Sequence, residues 1–375
     1  MKMKKITFLL LSLFSAASFA GNYADTGAEA VPQNNKESES HFYIDLGASG
    51  YYFDQPSTTL PLSTGYGSGY YNVPIPATAG DGYDADKLAF APSITLGYQF
   101  LTDNADLQRI FGQQNSIELR ASYFHNTGTQ SESYDDQPYY VNVFPITGGV
   151  NFTDTSLDMT DSSVDFDNTY ADVGLYYTGN KVISNTLINS PYIGIDVSYL
   201  KQDSDSSDTQ YFGDATNDNK PIYDTPLYGI GSDDLSSYYM GLAFGDKATW
   251  LFAKNYGVYG KLGAGVYWMH TKLSASQTPV SNDVEGFLDD SMMATYNVDA
   301  TDDQATFKVE AEAGLNYYFK NNQDQMSPRI TLLAGLDYWN DVAYADNPTE
   351  ANQAVAIAYD SSLNPYVGLQ MHIPL

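Results

Sequence analysis

Lys308, Glu310 and Glu312 stand two residues apart in the stretch ATFKVEAEAGLNYYFK, Ala305 to Lys320. In an extended chain, side chains at that spacing leave the backbone in one direction; round a helix they scatter. Asp45, Glu118, Arg120, Asp172, Asp196, Lys261, Arg329 and Asp337 lie in similar settings along the chain. Gathered on one wall, such groups would line a wet passage and favour cations or polar solutes. They could equally pair across neighbouring strands and fill a narrow interior as a polar core.

Other chemistry finds less support. The histidines are His41, His125, His270 and His372, and none sits in a recognisable catalytic motif. Asp203, Asp205 and Asp208 form an acidic run, but the glycine turn and terminal glutamate of a calcium loop are missing. A solvated loop accounts for the run, with diffuse divalent binding near lipopolysaccharide left open. The chain has no glycine-rich phosphate loop, metal-ligand cluster or basic aromatic patch. The sequence therefore points to no catalytic residue, cofactor or metal, and no enzyme is expected. A formal charge of −29 argues against nucleic acid and against adsorption to anionic lipid.

The elements that would position these residues are strands. Between the charged residues of the opening stretch, Phe307, Val309, Ala311, Ala313, Leu315, Tyr317 and Phe319 occupy every second place. On a strand they make one apolar face opposite a charged one. The same alternation marks Ala89–Phe100, Ser116–Phe124, Thr169–Tyr177 and Pro191–Tyr199. His41–Phe53, Tyr238–Gly245, Tyr256–His270, Pro328–Tyr338 and Asn364–Leu375 follow it too. About ten strands result, most near the ~9–11 residues that a tilted strand needs to cross a bilayer. A slip of one residue would carry charges into lipid, so the pattern sets register.

Connections alternate in length. Thr102–Asn115, Thr178–Ser190, Asp246–Asn255 and Asn321–Ser327 are short; Asp54–Lys87, Asn126–Asn168, Lys201–Ser237, Thr271–Gln304 and Trp339–Leu363 are long. Aromatic residues cluster at both ends of the strands, as in Tyr51-Tyr52-Phe53, Tyr123-Phe124, Tyr267-Trp268 and Tyr317-Tyr318-Phe319. The fold these features predict is all-β: a transmembrane antiparallel up-and-down β-barrel with long extracellular loops and an aromatic rim at each end. A further hairpin from Tyr139–Phe144 or Gly149–Phe152 would bring the count to roughly 12–14 strands and widen the lumen. A soluble β-sandwich would also alternate, but it needs neither aromatic rims nor alternating loop lengths.

The start MKMKKITFLLLSLFSAASFA reads as a secretory signal: basic Lys2, Lys4 and Lys5, apolar Ile6–Phe14, and small residues before a cut after Ala20. Its apolar run is too short to span a bilayer. No later run is long enough for a membrane helix, and no cysteine stands near the cut to carry a lipid anchor. The expected layout is a signal peptide over 1–20, a polar periplasmic leader over 21–40 and a barrel over 41–375. With no cysteine at all, the barrel must hold by hydrogen bonds and packing.

The segments ADVGLYYTGN, SPYIGIDVSYL, YGVYGKLGAGVYWM, FKVEAEAGLNYYF, ITLLAGLDYW and NPYVGLQMHIPL together resemble the Legionella major outer membrane protein family of pore-forming barrels. APSITLGYQF and NSIELRASYFHNTG fit the same scheme, so the likeness covers most of the chain after its leader. It implies a porin-like channel in a Gram-negative outer membrane, surrounded by lipid and lipopolysaccharide and inserted by the outer-membrane assembly machinery. Contact with a host surface and homo-oligomers are within its scope. Two departures bear on assembly: the chain ends in Leu375 where many such barrels end in Phe, and it lacks cysteines for cross-linking. The other reading kept open is a non-conducting surface barrel that acts in adhesion or envelope structure through acidic loops.

Overall fold

The computed structural model describes residues 40–56, 88–135, 155–214, 227–278, 296–319, 327–346 and 355–375. The expected signal, nearly all of the leader and both candidate extra hairpin segments lie outside them. The described residues form ten strands: β1 (His41–Tyr52), β2 (Leu88–Leu101), β3 (Gln114–Asp135), β4 (Thr155–Ser184), β5 (Leu187–Asp214), β6 (Leu227–Ala253), β7 (Tyr256–Thr278), β8 (Tyr296–Tyr318), β9 (Arg329–Asp346) and β10 (Ala356–Pro374). Each pairs antiparallel with its sequence neighbours, and β1 closes on β10 from Tyr43↔Pro374 to Tyr51↔Tyr366. An even ring brings the start of β1 and the end of β10 to the same rim, the one carrying the short turns. Among the described residues no helix is long and apolar enough to cross a membrane.

Two short connections are tighter than the sequence suggested. Pairing continues to Ser184↔Leu187 and to Ala253↔Tyr256, leaving two-residue turns. At the first, Ser184 Oγ accepts from the backbone N–H groups of Thr186 and Leu187 at 3.3 and 3.1 Å. This extension carries Lys247 from an expected loop into β6. The β2–β3 connection holds a short helix, α1 (Ala105–Phe111), which alternation could not reveal. Asn104 caps it, its Oδ1 accepting from the N–H groups of Asp106 and Leu107 at 3.0 and 3.1 Å. Gly179 on β4 has no room for a Cβ, which would lie 2.1 Å from the Phe111 carbonyl oxygen, so the helix end rests against the strand.

The outer surface explains why these sequences close into a ring. Leu119 on β3, Val173 and Leu175 on β4, Ile195 on β5, Leu242 on β6 and Leu369 on β10 all point outward, each 45–56% exposed. Such a continuous apolar band belongs in hydrocarbon, where every backbone polar group must find a partner and an open sheet edge cannot persist. Paired aromatics flank the band. Phe42–Tyr98, Trp250–Phe252 and Tyr256–Tyr317 lie toward the short turns; Tyr199–Tyr238 and Phe307–Tyr338 lie toward the long connections. The rim expectation holds for one member of each adjacent aromatic pair. Alternation turns the other inward, so Tyr51, Phe124, Tyr267 and Trp339 are buried inside the ring.

Above the band the polarity of the sheet inverts. On β4 the outward series Leu175, Val173, Ala171, Thr169 gives way to Asp167 and Asp165, and the inward residues become Phe166 and Val164, each 3% exposed. On β5 the outward series Ile195, Val197, Tyr199 leads to Lys201, Asp203 and Asp205, while Leu200 turns inward. Leu235, Leu273, Ala343 and Ala345 complete an apolar core at this level. The strands therefore leave the membrane and continue as a collar that faces water outside and buries a mixed interior, apolar at Phe166, Val164 and Leu235 and polar at Asn168, Gln202 and Ser206. They run well past the ends that the sequence suggested, because pairing continues after the apolar outer face has ended.

The sign change yields a prediction. Leu175→Arg in the band is expected to cost about 2–4 kcal/mol of stability. Asp205→Lys on the collar should stay within about 0.5 kcal/mol. Equilibrium urea unfolding in lipid vesicles, followed by the gel mobility of folded barrel, checks both; equal costs would contradict the assigned boundary.

Candidate functional site in the barrel lumen

Inward residues meet in two cavities stacked along the barrel axis. The lower one, near the short turns, has a volume of about 320 Å³ and is lined by Asp45, Glu118, Arg120, Lys261, Glu312 and Arg329 among others. The middle one, about 300 Å³, is lined by Asp172, Asp196, Lys261, Lys308, Glu310, Glu312 and Asp337. All the residues singled out from the sequence thus face the interior, in two groups that share Lys261 and Glu312. Lys247 and His372 also line the lower cavity. Parity would have found Lys247 had β6 been drawn to its full length.

Glu118, Asp196, Glu310 and Glu312 are held by tyrosines that lie close over glycines. Tyr366 on β10 covers Gly335 on β9 and donates to Glu312 Oε2 at 2.9 Å. Tyr259 on β7 covers Gly314 on β8 and donates to the other oxygen, Oε1, at 2.7 Å. A Cβ on either glycine would stand 2.4 Å from a ring carbon, so a larger residue would lift the ring off the wall. Tyr43 spans Gly97 in the same way and reaches Glu118 at 2.5 Å, and Tyr267 reaches Asp196 at 2.8 Å. Tyr192 donates to Glu310 Oε1, and Lys261 holds Oε2 at 2.8 Å. Tyrosine suits this task because its ring is apolar and its tip is a hydrogen-bond donor.

The cations are arranged differently. Arg120 donates from Nε and Nη2 to Glu118 Oε2 at 2.9 and 2.6 Å, and its guanidinium lies between the rings of Tyr176 and Tyr192 at 4.2 and 5.1 Å. Lys308 donates to Ser198 Oγ at 2.8 Å, and its ammonium faces Trp339, Tyr239, Tyr267 and Tyr170 at 4.1–5.6 Å. Asp172, Asp196 and Asp337 surround it in the middle cavity. Asp337 accepts from the Tyr51 hydroxyl at 3.3 Å, while Asp45 meets His372 Nδ1 at 2.6 Å. Lys247 stands over the ring of Tyr259 at 4.2 Å.

Above the middle cavity an aromatic layer crosses the lumen. Trp339 on β9 lies 5.2 Å from Tyr170 on β4, the strand opposite it in the ring. Tyr170 stacks on Phe124 at 5.0 Å, Phe124 on Tyr51 at 5.1 Å, and Phe53 and Tyr239 pack against Trp339 at 6.0 and 5.8 Å. Phe53, Phe124, Tyr239 and Trp339 are at most 4% exposed. The sequence-based choice was between a charged pore and a paired polar core. The lumen combines a paired polar interior below with an apolar septum above.

A closed antiparallel ring with an apolar belt outside and ionised residues inside is an outer-membrane β-barrel. No protein-family model matches the chain, and no curated protein matches its sequence. Among solved structures it is similar to the outer membrane protease OmpT from Escherichia coli, at 7% identity over 92% of this chain and 99% of that one, with a TM-score of 0.37. It is similar also to a major outer membrane protein from Thermus thermophilus, at 11% identity over 89% of this chain and 99% of that one, TM-score 0.29. The transport unit of the autotransporter AIDA-I from Escherichia coli gives 7% identity over 91% and 92%, TM-score 0.25. The resemblance drawn from the sequence thus stands for the outer-membrane barrel in general, and the Legionella family itself is not shown. The expectation that the chain is no enzyme is corrected: a protease is among these barrels, so the class does not exclude catalysis. At such identities the likeness concerns fold and gives this chain no activity.

Lys308 offers a test of the middle cavity. Lys308→Met leaves three carboxylates without their cation and is expected to cost about 3–5 kcal/mol. Adding Asp172→Asn and Asp196→Asn should recover a large part of that loss. Urea unfolding of the wild type, Lys308→Met, Asp172→Asn with Asp196→Asn, and the triple variant checks this; independent, additive costs would show that the charges do not act as a unit.

Proposed function

We propose that this protein is a porin-like channel for small ions and polar solutes across a Gram-negative outer membrane, held shut by its aromatic septum. The observation that supports this reading is the series of two polar cavities that share Lys261, Glu312 and Tyr366, with the aromatic layer and the collar's apolar core above them. A core built for rigidity alone would not need about 300 Å³ of unfilled polar space at each of two levels. Side chains that meet edge to face can rotate aside, whereas a wall of backbone could not. Ten strands leave a narrow lumen, so solutes would be small.

The other reading is a non-conducting surface barrel that works through its extracellular side. The contact of Trp339 with Tyr170 across the full width of the ring favours it.

Planar-bilayer recordings separate the two. The wild-type barrel should show rare, brief openings, and Tyr170→Ala with Trp339→Ala should give steady open-channel steps. Silence from both proteins, with folding verified by gel mobility, would end the channel reading. In the opened background, Glu310→Gln with Glu312→Gln should shift the reversal potential toward lower cation preference; an unmoved potential would remove these carboxylates from the conduction path.

A further inference from the structure

The β8–β9 ladder stops early. Its last pair is Lys308↔Trp339, although β8 extends from there back to Tyr296 and β9 onward to Asp346. Along this stretch β8 keeps its ladder with β7, as far as Gln277↔Tyr296, and β9 keeps its ladder with β10, as far as Ala356↔Asp346. Among the described residues, the two edges that would face each other, 296–307 of β8 and 340–346 of β9, have no strand partner. Unpaired edges of this kind are templates for a further strand.

The ladder stops because the upper β9–β10 hairpin has left the wall. At its foot the register shifts between Asp360 and Ser362, so that Asn340 and Asp341 on β9 stand against Ser361 alone. An extra residue on one strand bends it. Above the bend β9 comes within 8 Å of β6 between Cα atoms, although β6 lies three places away round the ring. It can do so only from inside the barrel. There Ala343 and Ala345 of β9 pack with Leu235 of β6, Leu273 of β7 and Ala300 of β8. Val342 joins the cluster of Phe53, Met269 and Trp339. Val342 and Ala343 are fully buried. Tyr359 on β10 donates to Asp302 Oδ2 on β8 at 2.9 Å and fastens the hairpin to the inner wall.

We propose that this hairpin, 340–346 with 356–362, is a lid folded into the mouth of the barrel, and that it opens by swinging back into the wall, where β9 resumes its ladder with β8. The pair at which the ladder stopped sets the register of the outward state. Continued from Lys308↔Trp339, it puts Phe307 opposite Asn340, Ala305 opposite Val342 and Gln304 opposite Ala343. The two states exchange one kind of satisfaction for another: the inward one buries apolar side chains, the outward one pairs two bare edges. Trp339 belongs to the last β8–β9 pair and to the septum, so movement of the lid acts on the septum. That consequence for conduction rests on the channel reading; the movement itself does not.

The chain has no cysteine, so introduced thiols can report the movement. In Ala305→Cys with Val342→Cys the thiols face each other only in the outward ladder. In Ala305→Cys with Ala343→Cys the same ladder sets them on opposite faces, out of bonding geometry. With copper–phenanthroline as oxidant, in full-length barrel whose folding is verified by gel mobility, the first pair should form a disulfide several times faster than the second. No disulfide in either pair, or equal rates in both, would overturn the lid. A single Ala343→Cys supplies a second measurement. Maleimide should label it in the folded barrel faster than the barrel unfolds, and Tyr359→Phe, which frees the hairpin from Asp302, should speed labelling by about two- to tenfold. Labelling no faster than global unfolding and unmoved by Tyr359→Phe would count against the lid. Conductance separates the two proposals. Silent septum variants would end the channel reading and leave a register-specific disulfide standing; conducting septum variants without that disulfide would end the lid alone.

Discussion

The constraint on which this molecule depends is that a peptide group in hydrocarbon cannot go unpaired. The pairing of β1 with β10 answers it by leaving no edge. Much else follows from that seam. Closure forces one face of every strand outward into lipid and the other into a shared interior, so alternation along the chain becomes a radial division between apolar and ionised residues. Closure with ten strands also makes the interior narrow, so inward side chains meet across it.

A narrow, charged interior must account for each ion. Here the balance is reached by interleaving tyrosines, glycines and acids. Tyr366 can reach Glu312 because Gly335 lets its ring lie against the wall, and Tyr259 reaches the same acid over Gly314. Of the 33 tyrosines, several thus serve the interior as well as the rims. Glu118 and Glu310 also hold cations, Arg120 at 2.6 Å and Lys261 at 2.8 Å.

The parity of the lumen residues was legible because it rests on a two-residue period that the membrane enforces at every position. Lys308, Glu310 and Glu312 face inward for the same reason that Phe307 and Val309 face lipid. Three features were not legible. The collar was missed because β4 exchanges its inside and outside while β5 turns polar on both faces, and a single strand does not carry a label for which side is wet. Lys247 was hidden by turns shorter than the composition suggested. The septum joins Trp339 and Tyr170, residues far apart in sequence on opposite strands, and no local pattern reports a meeting across a cavity.

The collar has one more consequence. At about 3.3 Å per residue, β4 from Thr155 to Asn168 adds on the order of 45 Å of ribbon before strand tilt is counted. The barrel is therefore a turret as much as a span. A large particle approaching from that side meets the parapet, with its outward Asp165, Asp167, Asp203 and Asp205, nanometres before it meets acyl chains. First touch at that height is governed by ionic strength and reach, and the bilayer's own composition matters little to it.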